Sequence, residues 1–429
     1  MTSVSYTLLE QQQSQLEVLQ NQIHYLRLHS LYYRRVLTEC QLTEKNLLSI
    51  EDIQKFPFTT KADLQKYNKE FLCQSLSKII DIVSTSGTSG TPVSFYLTDN
   101  DLERLATNES QSLSIAGIGP DDIVQLTTTS DRLFMAGLAY VLGLRKLGAS
   151  LLRVGPGLPD LQWKLIAEHK TTTLIAVPSF ILKMLEYAEK NQIDPAASTV
   201  NKIVCIGEPI RNQDFSLNIL GQKITDKWPV QLYSTYASTE MATAFTECHA
   251  GKGGHHLPEL VFIEVVDEQD QSVPPGMSGE LVITTLGIEG TPLLRFKTGD
   301  ICQYHLSSCE CGRTTLRLGP LQGRKNQMIK YKGTTLYPPA LTELLHELDY
   351  ISAYYSEVTT NEMGLDAIKI YVAGNEKDAD LVFRIKEHFQ ARIRVTPDIF
   401  VTSAQEINAI KTSFNFRKPV DFIDRRTTF

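Results

Sequence analysis

The first 75 residues carry a helical pattern of hydrophobic positions. The apolar side chains of Leu9, Leu16, Leu19, Ile23 and Leu26 recur at steps of three, four and seven residues among glutamine and glutamate. This spacing places them on one face of an amphipathic helix. We expect that face to pack on the core, with a partner-binding helix as the alternative.

The helical segment ends at the sequence FPFTTK, residues 56–61. Pro57 interrupts a helix because its ring removes a donor and fixes the backbone. Either Thr59 or Thr60 can then cap the helix that follows.

Between about residues 80 and 320, short β-branched runs alternate with helical stretches. The runs cover residues 79–83, 123–127, 173–177, 203–206 and 230–233, and the helical patterns cover 161–169 and 180–190. Such alternation is typical of α/β layers with largely buried sheets. Strands at 260–266 and 279–284 follow, separated by a turn-forming stretch.

The last hundred residues have the pattern of a compact α+β unit. Its predicted elements are a helix at 339–348, strands at 353–358 and 367–372, a helix at 379–392 and a strand at 398–402. A polar joint at residues 323–327 precedes them. We therefore predict an α/β protein with a large multi-layer N-terminal domain, residues 1–323, and a small α+β C-terminal domain, residues 324–429.

Composition narrows the class of protein. The 429 residues carry a formal charge of −7, and no basic stripe suits a nucleic-acid partner. No apolar run approaches the 18 residues of a membrane span, and the N-terminus has no secretory pattern. The seven cysteines, an odd number spread from Cys40 to Cys311, indicate a reducing compartment. We expect a cytoplasmic protein without a nucleic-acid or membrane partner.

A loop rich in hydroxyl groups follows the first β-branched run. Residues 84–92 read STSGTSGTP, so six hydroxyls and two glycines can turn donors toward an oxyanion such as a polyphosphate. No lysine follows Gly90, which disfavours the Walker phosphate loop. On composition alone, an ordinary surface loop explains this stretch equally well.

Further motifs in the same order make the chain resemble the acyl-adenylate-forming superfamily, and within it the phenylacetate-CoA ligase branch. The resemblance covers essentially the whole chain. It rests on the hydroxyl-rich loop, on FPFTTKADL at 56–64, on GEP at 207–209, on YASTE at 236–240, on TGD at 298–300 and on Arg324.

The resemblance implies an ATP site and two catalytic half-reactions. The implied nucleotide contacts are Ser86, Gly87, Thr88, Ser89, Gly90, Thr91, Gly207, Glu208, Pro209, Tyr236, Ala237, Ser238, Thr239, Glu240, Asp300 and Arg324. Among them Glu240 is expected to hold Mg²⁺, as a carboxylate can against a triphosphate. The implied catalytic residues are Thr88, Glu240 and Lys418.

Two departures from the family pattern affect the C-terminal part of the site. The terminal FIDRR places Lys418 at the family's catalytic lysine, but Arg417 replaces the usual glycine. Lys411 is the alternative. At the joint, Asn326 occupies a position where the family usually has aspartate.

The family resemblance also implies where the acid binds. The implied substrate residues are Phe134, Gly137, Tyr140 and Tyr236, an apolar lining with aromatic members. An aryl or arylalkyl acid fits such a lining, as does a short aliphatic acid.

A group of cysteines and histidines predicts a structural zinc site. Cys309 and Cys311 form a C-x-C pair, and Cys248 precedes the adjacent His255 and His256. Three thiolates and one imidazole are ligands that Zn²⁺ prefers. Some members of the phenylacetate-ligase branch carry a structural metal here. We predict Cys248, His255, Cys309 and Cys311 as ligands, with His256 as an alternative and free thiols as the opposing interpretation.

These features together predict an ATP-dependent, AMP-forming carboxylate-CoA ligase acting on a phenylacetate-like acid. Its small C-terminal domain would rotate between half-reactions, exchanging Lys418 for the loop around residues 332–333. Transfer to a carrier protein or an amine, or a non-catalytic nucleotide-binding role, are the alternatives. The family resemblance further suggests a homodimer.

Overall fold

The computed structural model describes residues 8–85, 92–331, 334–361, 365–374, 378–413 and 420–426. The expectations for residues 86–91, the loop at 332–333, Arg417 and Lys418 lie outside this part of the chain.

Eleven helices are present in the described residues. They are α1 (Leu8–His29), α2 (Leu31–Glu39), α3 (Lys61–Tyr67), α4 (Asp99–Ile115), α5 (Met135–Leu147), α6 (Pro159–His169), α7 (Pro178–Lys190), α8 (Ile219–Lys227), α9 (Pro338–His346), α10 (Asp378–Ile393) and α11 (Ala404–Ser413). Short 3₁₀ helices span Glu44–Asn46, Ile50–Lys55, Asn68–Phe71, Leu76–Lys78, Pro195–Ala197 and Lys325–Gln327.

The strands form five sheets in the described residues. They are β1 (Asp81–Ser84), β2 (Ser94–Leu97), β3 (Ile123–Leu126), β4 (Ser150–Arg153), β5 (Thr173–Ala176), β6 (Lys202–Ile206), β7 (Gln231–Ser238), β8 (Thr243–Thr246), β9 (Gly254–His255), β10 (Val261–Val266), β11 (Gly279–Thr285), β12 (Phe296–Cys302), β13 (Tyr304–His305), β14 (Arg317–Leu318), β15 (Gly323–Arg324), β16 (Ile329–Tyr331), β17 (Thr334–Leu336), β18 (Ile351–Thr360), β19 (Asp366–Gly374), β20 (Asp398–Val401) and β21 (Phe422–Asp424).

The predicted N-terminal amphipathic helix is α1. Its Leu19, Ile23 and Leu26 are fully buried, so the apolar face packs on the core as expected. Thr60 caps the N-terminus of α3 and forms a reciprocal capping box with Asp63, which is why the chain resumes a helix directly after FPFTT.

A nine-stranded sheet forms the centre of the protein, in the order β13-β14-β9-β8-β7-β6-β5-β3-β4. The strands from β7 to β4 run parallel, and helices cover both faces. Each strand alternates between the two cores; for example, Leu174 faces α6 and α7 while Ile175 faces α4 and α5. In this topology, ligands bind beyond the carboxyl ends of the parallel strands.

A four-stranded antiparallel sheet, β10-β11-β12-β15, lies beside it. Thr59 forms a bridge to Phe296 at the start of β12, with Thr59 N donating to the Arg295 carbonyl at 3.0 Å and Lys297 N donating to the Thr59 carbonyl at 2.9 Å. The N-terminal segment is therefore fixed along the strand that carries Asp300.

The C-terminal residues form the mixed sheet β20-β19-β18-β21 with α9, α10 and α11. Ile329 to Ile399 contribute a hydrophobic cluster of their own, which includes Leu341, Val358, Ile370 and Phe389. The sequence pattern did not predict α11 or β21. Both are short, and β21 joins the sheet only through three residues paired with β18.

A buried ion pair fixes the N-terminal segment to the second sheet. The Arg295 guanidinium donates to both carboxylate oxygens of Glu264, from Nε at 2.9 Å and from Nη2 at 2.8 Å. Its Nη1 donates to the Phe56 carbonyl at 2.6 Å, and the guanidinium lies 3.9 Å from the ring centre of Phe58. Arg295 and Glu264 side chains are only 2% and 6% exposed.

We predict that Glu264→Leu destabilises the protein by about 3–5 kcal/mol, because it leaves the Arg295 charge buried without its partner. Urea denaturation monitored by tryptophan fluorescence measures the change in the free energy of unfolding. The matched control is Glu189→Leu, which breaks the exposed pair with Lys227 and should leave the denaturation midpoint almost unchanged. Equal effects of the two substitutions would contradict the role given to Arg295.

Candidate active site

The central nine-stranded sheet and the four-stranded sheet β10-β11-β12-β15 meet at Asp300. Tyr236 Oη, from the end of β7, donates to Asp300 Oδ2 at 2.6 Å. Arg324 Nε, from β15, donates to Asp300 Oδ1 at 3.2 Å, and Asp300 and Arg324 are paired residues of β12 and β15. Three motifs that lie far apart in the sequence thus converge on one carboxylate.

The phenol of Tyr236 is held in a fixed position. Its ring packs against Phe245 with centroids 6.1 Å apart and a 28° angle between the rings. Burial, followed by the charge of Asp300, raises the pKa of Tyr236 well above its usual value, so the hydroxyl stays protonated and donates. A flat ring of this kind can flank a nucleobase.

Lys61 lies at this site, although the sequence analysis gave it no role. It is the first residue of α3, directly after the segment fixed along β12. Burial lowers the pKa of Lys61, while the carboxylates of Glu240 and Asp300 oppose that shift. The ammonium group therefore interacts electrostatically with the acidic groups of the YASTE and TGD motifs.

The remaining YASTE residues form the end of β7 and the start of the turn to β8. Ala237 pairs with Ala244, and Ser238 Oγ accepts a hydrogen bond from Met241 N at 3.3 Å. Thr239 and Glu240 are half-buried at the tip of this turn. This places Glu240 at the carboxyl edge of the central sheet.

The GEP motif follows β6 at the same edge. Gly207 has φ of +74°, a backbone conformation that favours glycine. Glu208 accepts hydrogen bonds from Ser179 N at 2.9 Å and Ser179 Oγ at 2.8 Å, so it also caps α7. Pro209 continues the turn.

The base of the hydroxyl-rich loop is described, and its tip is not. Ser84 N donates to the Leu133 carbonyl at 2.9 Å, and Thr85 and Val93 are joined by two hydrogen bonds of 3.0 Å. Ser86, Gly87, Thr88, Ser89, Gly90 and Thr91 lie outside the described residues. The loop therefore begins beside the segment that leads into α5.

The residues expected to line the acid pocket lie on α5 and its entry. Phe134 directly precedes the helix, after two residues with left-handed backbone, Arg132 and Leu133. A Cβ on Gly137 would lie 2.3 Å from the Thr129 carbonyl, so glycine permits the entry loop to pass closely over the helix. Tyr140 is buried, in a cluster with Leu113, Ile206 and Tyr233.

The four predicted metal ligands are brought together. The ligand atoms of Cys248, His255, Cys309 and Cys311 all lie within 4.8 Å of one another. Cys248 and Cys309 sulfurs are 3.6 Å apart, and Cys311 Sγ is 3.5 Å from His255 Nε2. Tetrahedral zinc with ligand bonds of about 2.0–2.3 Å fits these separations. His256 is directed elsewhere: its Nε2 donates to the Val261 carbonyl at 2.6 Å.

The protonation of this cluster differs from one residue to the next. Burial raises the pKa of the Cys248 thiol to about 12. Burial also opposes ionisation of Cys311, but hydrogen bonds from Arg313, Cys248 and Cys309 outweigh it and lower the Cys311 pKa to about 7. Burial, with the charges of Arg313 and Arg317, lowers the pKa of His255 to about 4, which keeps the imidazole neutral and able to ligate.

The doubly wound central sheet and the four-stranded sheet beside it give the chain the fold of adenylate-forming enzymes. Residues 34–289 match the family of AMP-binding enzymes, more than half of the chain, and the protein belongs to that family.

Relatives agree with this assignment. The phenylacetate-coenzyme A ligase of Thermus thermophilus is 29% identical over 350 residues, which cover 80% of this chain and 77% of the relative. That of Escherichia coli is 24% identical over 388 residues, 87% of each chain. The crystal structure of 2-hydroxyisobutyryl-CoA ligase in the postadenylation state has the same fold, with a TM-score of 0.84 at 22% identity over 98% of this chain and 90% of that one. The resemblance and fold class expected from the sequence are confirmed.

We predict that Cys311 is the thiol of the cluster that reacts first when chelator-treated protein is exposed to iodoacetamide. Its rate should rise with pH to a plateau, with a midpoint near pH 7, because the thiolate is the reactive form. An ordinary cysteine has its midpoint about 1.5 pH units higher. Peptide mass spectrometry of samples quenched at successive pH values measures the rate for each cysteine. A Cys311 midpoint of 8.5 or above would show that the Arg313 contacts do not stabilise its thiolate.

Proposed function

We propose that the protein is an AMP-forming acid–CoA ligase that activates an aryl or arylalkyl acid of the phenylacetate type. The observation that carries the proposal is the convergence of Tyr236, Asp300 and Arg324, with Lys61 and Glu240 at the same edge of the sheet. Membership of the AMP-binding family and the phenylacetate-coenzyme A ligases among its relatives support it. No helix in the described residues is long and apolar enough to cross a membrane.

The reaction has two steps. In the first, a carboxylate oxygen of the acid attacks the α-phosphorus of ATP, and the bond to the pyrophosphate oxygen breaks, giving acyl-AMP and pyrophosphate. In the second, the CoA sulfur attacks the acyl carbon, its proton is released, and AMP leaves. Positioning and charge neutralisation provide most of the catalysis.

Different residues contact the ribose, the adenine and the phosphates of ATP in this proposal. Asp300 accepts hydrogen bonds from the ribose hydroxyls, since a carboxylate has more acceptor positions than Tyr236 and Arg324 use. Tyr236 flanks the adenine, and the turn at Gly207, Glu208 and Pro209 closes the base pocket. Lys61 offsets the negative charge of the phosphates.

Mg²⁺ is required because it offsets triphosphate charge, and Glu240 is the carboxylate that would hold it together with phosphate oxygens. The half-buried position of Glu240 at the sheet edge fits this role. From the sequence, Ala237, Ser238 and Thr239 border the phosphates, and Thr88 and Lys418 complete the catalytic set. Lys411, the alternative to Lys418, forms an ion pair with Asp421 and lies over the Tyr354 ring, which favours a structural role for it.

Residues 324–429 act as a mobile domain that changes orientation between the two steps. The side-chain contacts that join them to the rest of the chain include Lys325 with Glu280 at 2.8 Å and Lys223 with Asp349 at 2.6 Å. Lys223 and Asp349 are both exposed, and an exposed ion pair of this kind stabilises little. Releasing this contact therefore costs little when the domain reorients, whereas the partner of Lys325, Glu280, is buried.

Acid-dependent exchange of pyrophosphate into ATP tests the first step, and CoA-dependent release of AMP tests the second. We expect exchange with an aryl acid and faster AMP release with CoA. Exchange without any effect of CoA would instead favour a carrier protein or an amine as the acceptor. ATP binding without exchange across a broad panel of acids would contradict the proposal and indicate a non-catalytic homologue.

Lys61→Ala should lower kcat/KM for ATP in the exchange reaction by about 10²-fold, since it removes one preorganised cation from the phosphate site. Lys61→Arg should recover part of the loss because it restores the charge. The matched control is Lys66→Ala on the same helix, whose ammonium lies over the Tyr67 ring away from the site and should have no effect. A Lys61→Ala enzyme with unchanged kcat/KM would remove Lys61 from the site.

The cysteine and histidine cluster holds one structural Zn²⁺ per chain in this proposal. Protein purified without chelator should contain about one zinc, and Cys309→Ser should lower both the zinc content and the melting temperature, because binding energy at such a site is folding energy. Cys40→Ser, at an exposed cysteine outside the cluster, serves as the control. A zinc-free wild-type protein that melts at the same temperature as a zinc-supplemented sample would contradict this assignment.

A further inference from the structure

A carboxyl group lies between α4 and α5 without a cation beside it. Glu109 of α4 is 6% exposed, and in the described part of the chain it forms no ion pair. Its Oε1 accepts one hydrogen bond, from Asn108 Nδ2 at 3.1 Å. Burial raises its pKa to about 7. A buried carboxyl with so little compensation is costly, and a purely packing role does not explain it.

The position of Glu109 is fixed on two sides. A Cβ on Gly143 of α5 would lie 2.3 Å from the Glu109 Cβ, so the two helices approach closely at this point. Asn108 Oδ1 accepts from Ala244 N of β8 at 3.1 Å, and Ala244 pairs with Ala237, the residue after Tyr236. Asn108 therefore links Glu109 to the strand pair that ends at the candidate active site.

A second polar group faces the same interface. Tyr140 of α5 is 5% exposed and lies three residues before Gly143, on the same face of the helix. Burial, with the charge of Glu109, raises its pKa. No hydrogen bond to the Tyr140 hydroxyl occurs in the described residues, although buried tyrosine hydroxyls usually have a partner. Glu109 Oε2 likewise accepts no hydrogen bond from the described residues. Within that part of the chain, two polar groups of the same buried interface are therefore without a partner.

We propose that Glu109 and Tyr140 form the far end of the acid pocket and select an acid whose aromatic ring bears a hydroxyl group. A phenolic hydroxyl can donate to Glu109 Oε2 and accept from Tyr140 Oη, so it satisfies both groups at once. An aromatic amine, which is uncharged at neutral pH, would donate to Glu109 but is a poor acceptor for Tyr140, because its lone pair is delocalised into the ring. The inference rests on the proposed function, which supplies the carboxylate end of the same ligand.

Such a pocket discriminates strongly between acids with and without a hydroxyl group on the ring. A site built to hydrogen-bond a substrate hydroxyl rejects the analogue that lacks it, because the buried polar groups are then left unpaired. Replacing Glu109 by an apolar residue should remove this penalty and favour the unsubstituted ring.

The experiment compares 4-hydroxyphenylacetate, phenylacetate and 4-aminophenylacetate. Pyrophosphate exchange gives kcat/KM, and calorimetry gives the dissociation constant of each acid. We expect the kcat/KM of the wild-type protein to be at least about 10-fold higher for the hydroxy acid than for phenylacetate. Glu109→Leu should reverse or abolish that preference. Glu109→Gln and Tyr140→Phe should each retain part of it. Glu103→Leu, at an exposed position of α4, is the control and should keep the wild-type ratio.

The inference would be overturned if the wild-type protein and Glu109→Leu each had equal kcat/KM and equal affinity for 4-hydroxyphenylacetate and phenylacetate. A wild-type preference for 4-aminophenylacetate would also overturn it. Failure of all three acids to bind, while other aryl or arylalkyl acids drive exchange, would overturn it but leave the proposed function intact. Selective binding of the hydroxy acid without AMP formation would uphold the selection by Glu109 and contradict the proposed ligase activity. Melting temperatures confirm that each variant is folded.

Discussion

The carboxylate of Asp300 joins three separate parts of the chain, and the geometry of the candidate active site depends on it. Tyr236 reaches it from the central sheet and Arg324 reaches it from the strand that precedes the C-terminal residues. A carboxylate buried to this extent is stable only with such partners. The hydrogen bond between Tyr236 and Asp300 also sets the distance between the Tyr236 ring, which would flank adenine, and the Asp300 carboxylate, which would hold the ribose.

Rigid and weak contacts are distributed in a way that suits a two-step reaction. The Arg295–Glu264 pair and the backbone bonds of Thr59 fix the N-terminal segment along β12, and they place Lys61 beside Glu240 and Asp300. Preorganised charge of this kind is effective because it need not rearrange during the reaction. The contact of Lys223 with Asp349 is more exposed, so it allows the C-terminal residues to move.

Local patterns predicted α1, α6, α7, α9 and α10 and most of the parallel strands, but not α4, α5, α8 or β4. They could not show that Lys61 interacts electrostatically with Glu240 and Asp300, because these positions are about 180 and 240 residues away and are brought to one edge by the β-bridge at Thr59. The sequence analysis identified FPFTTK as a motif but gave its lysine, Lys61, no role in the site. The sequence also left His255 and His256 open, since adjacent strand residues point to opposite sides, and only the fold directs His255 to the cysteines. Glu109 was hidden within an ordinary helical pattern, because burial of a lone carboxyl is a tertiary property.

The central claim is that the acid is joined to the α-phosphate of ATP, and isotope transfer tests it most directly. The protein is incubated with ATP, CoA and an accepted acid labelled with ¹⁸O in both carboxylate oxygens, and the AMP is examined by mass spectrometry. The account predicts AMP that carries one ¹⁸O on its phosphate, because the carboxylate oxygen that attacks phosphorus leaves with AMP when sulfur takes the acyl group. Unlabelled AMP, or ADP and labelled phosphate in its place, would contradict it.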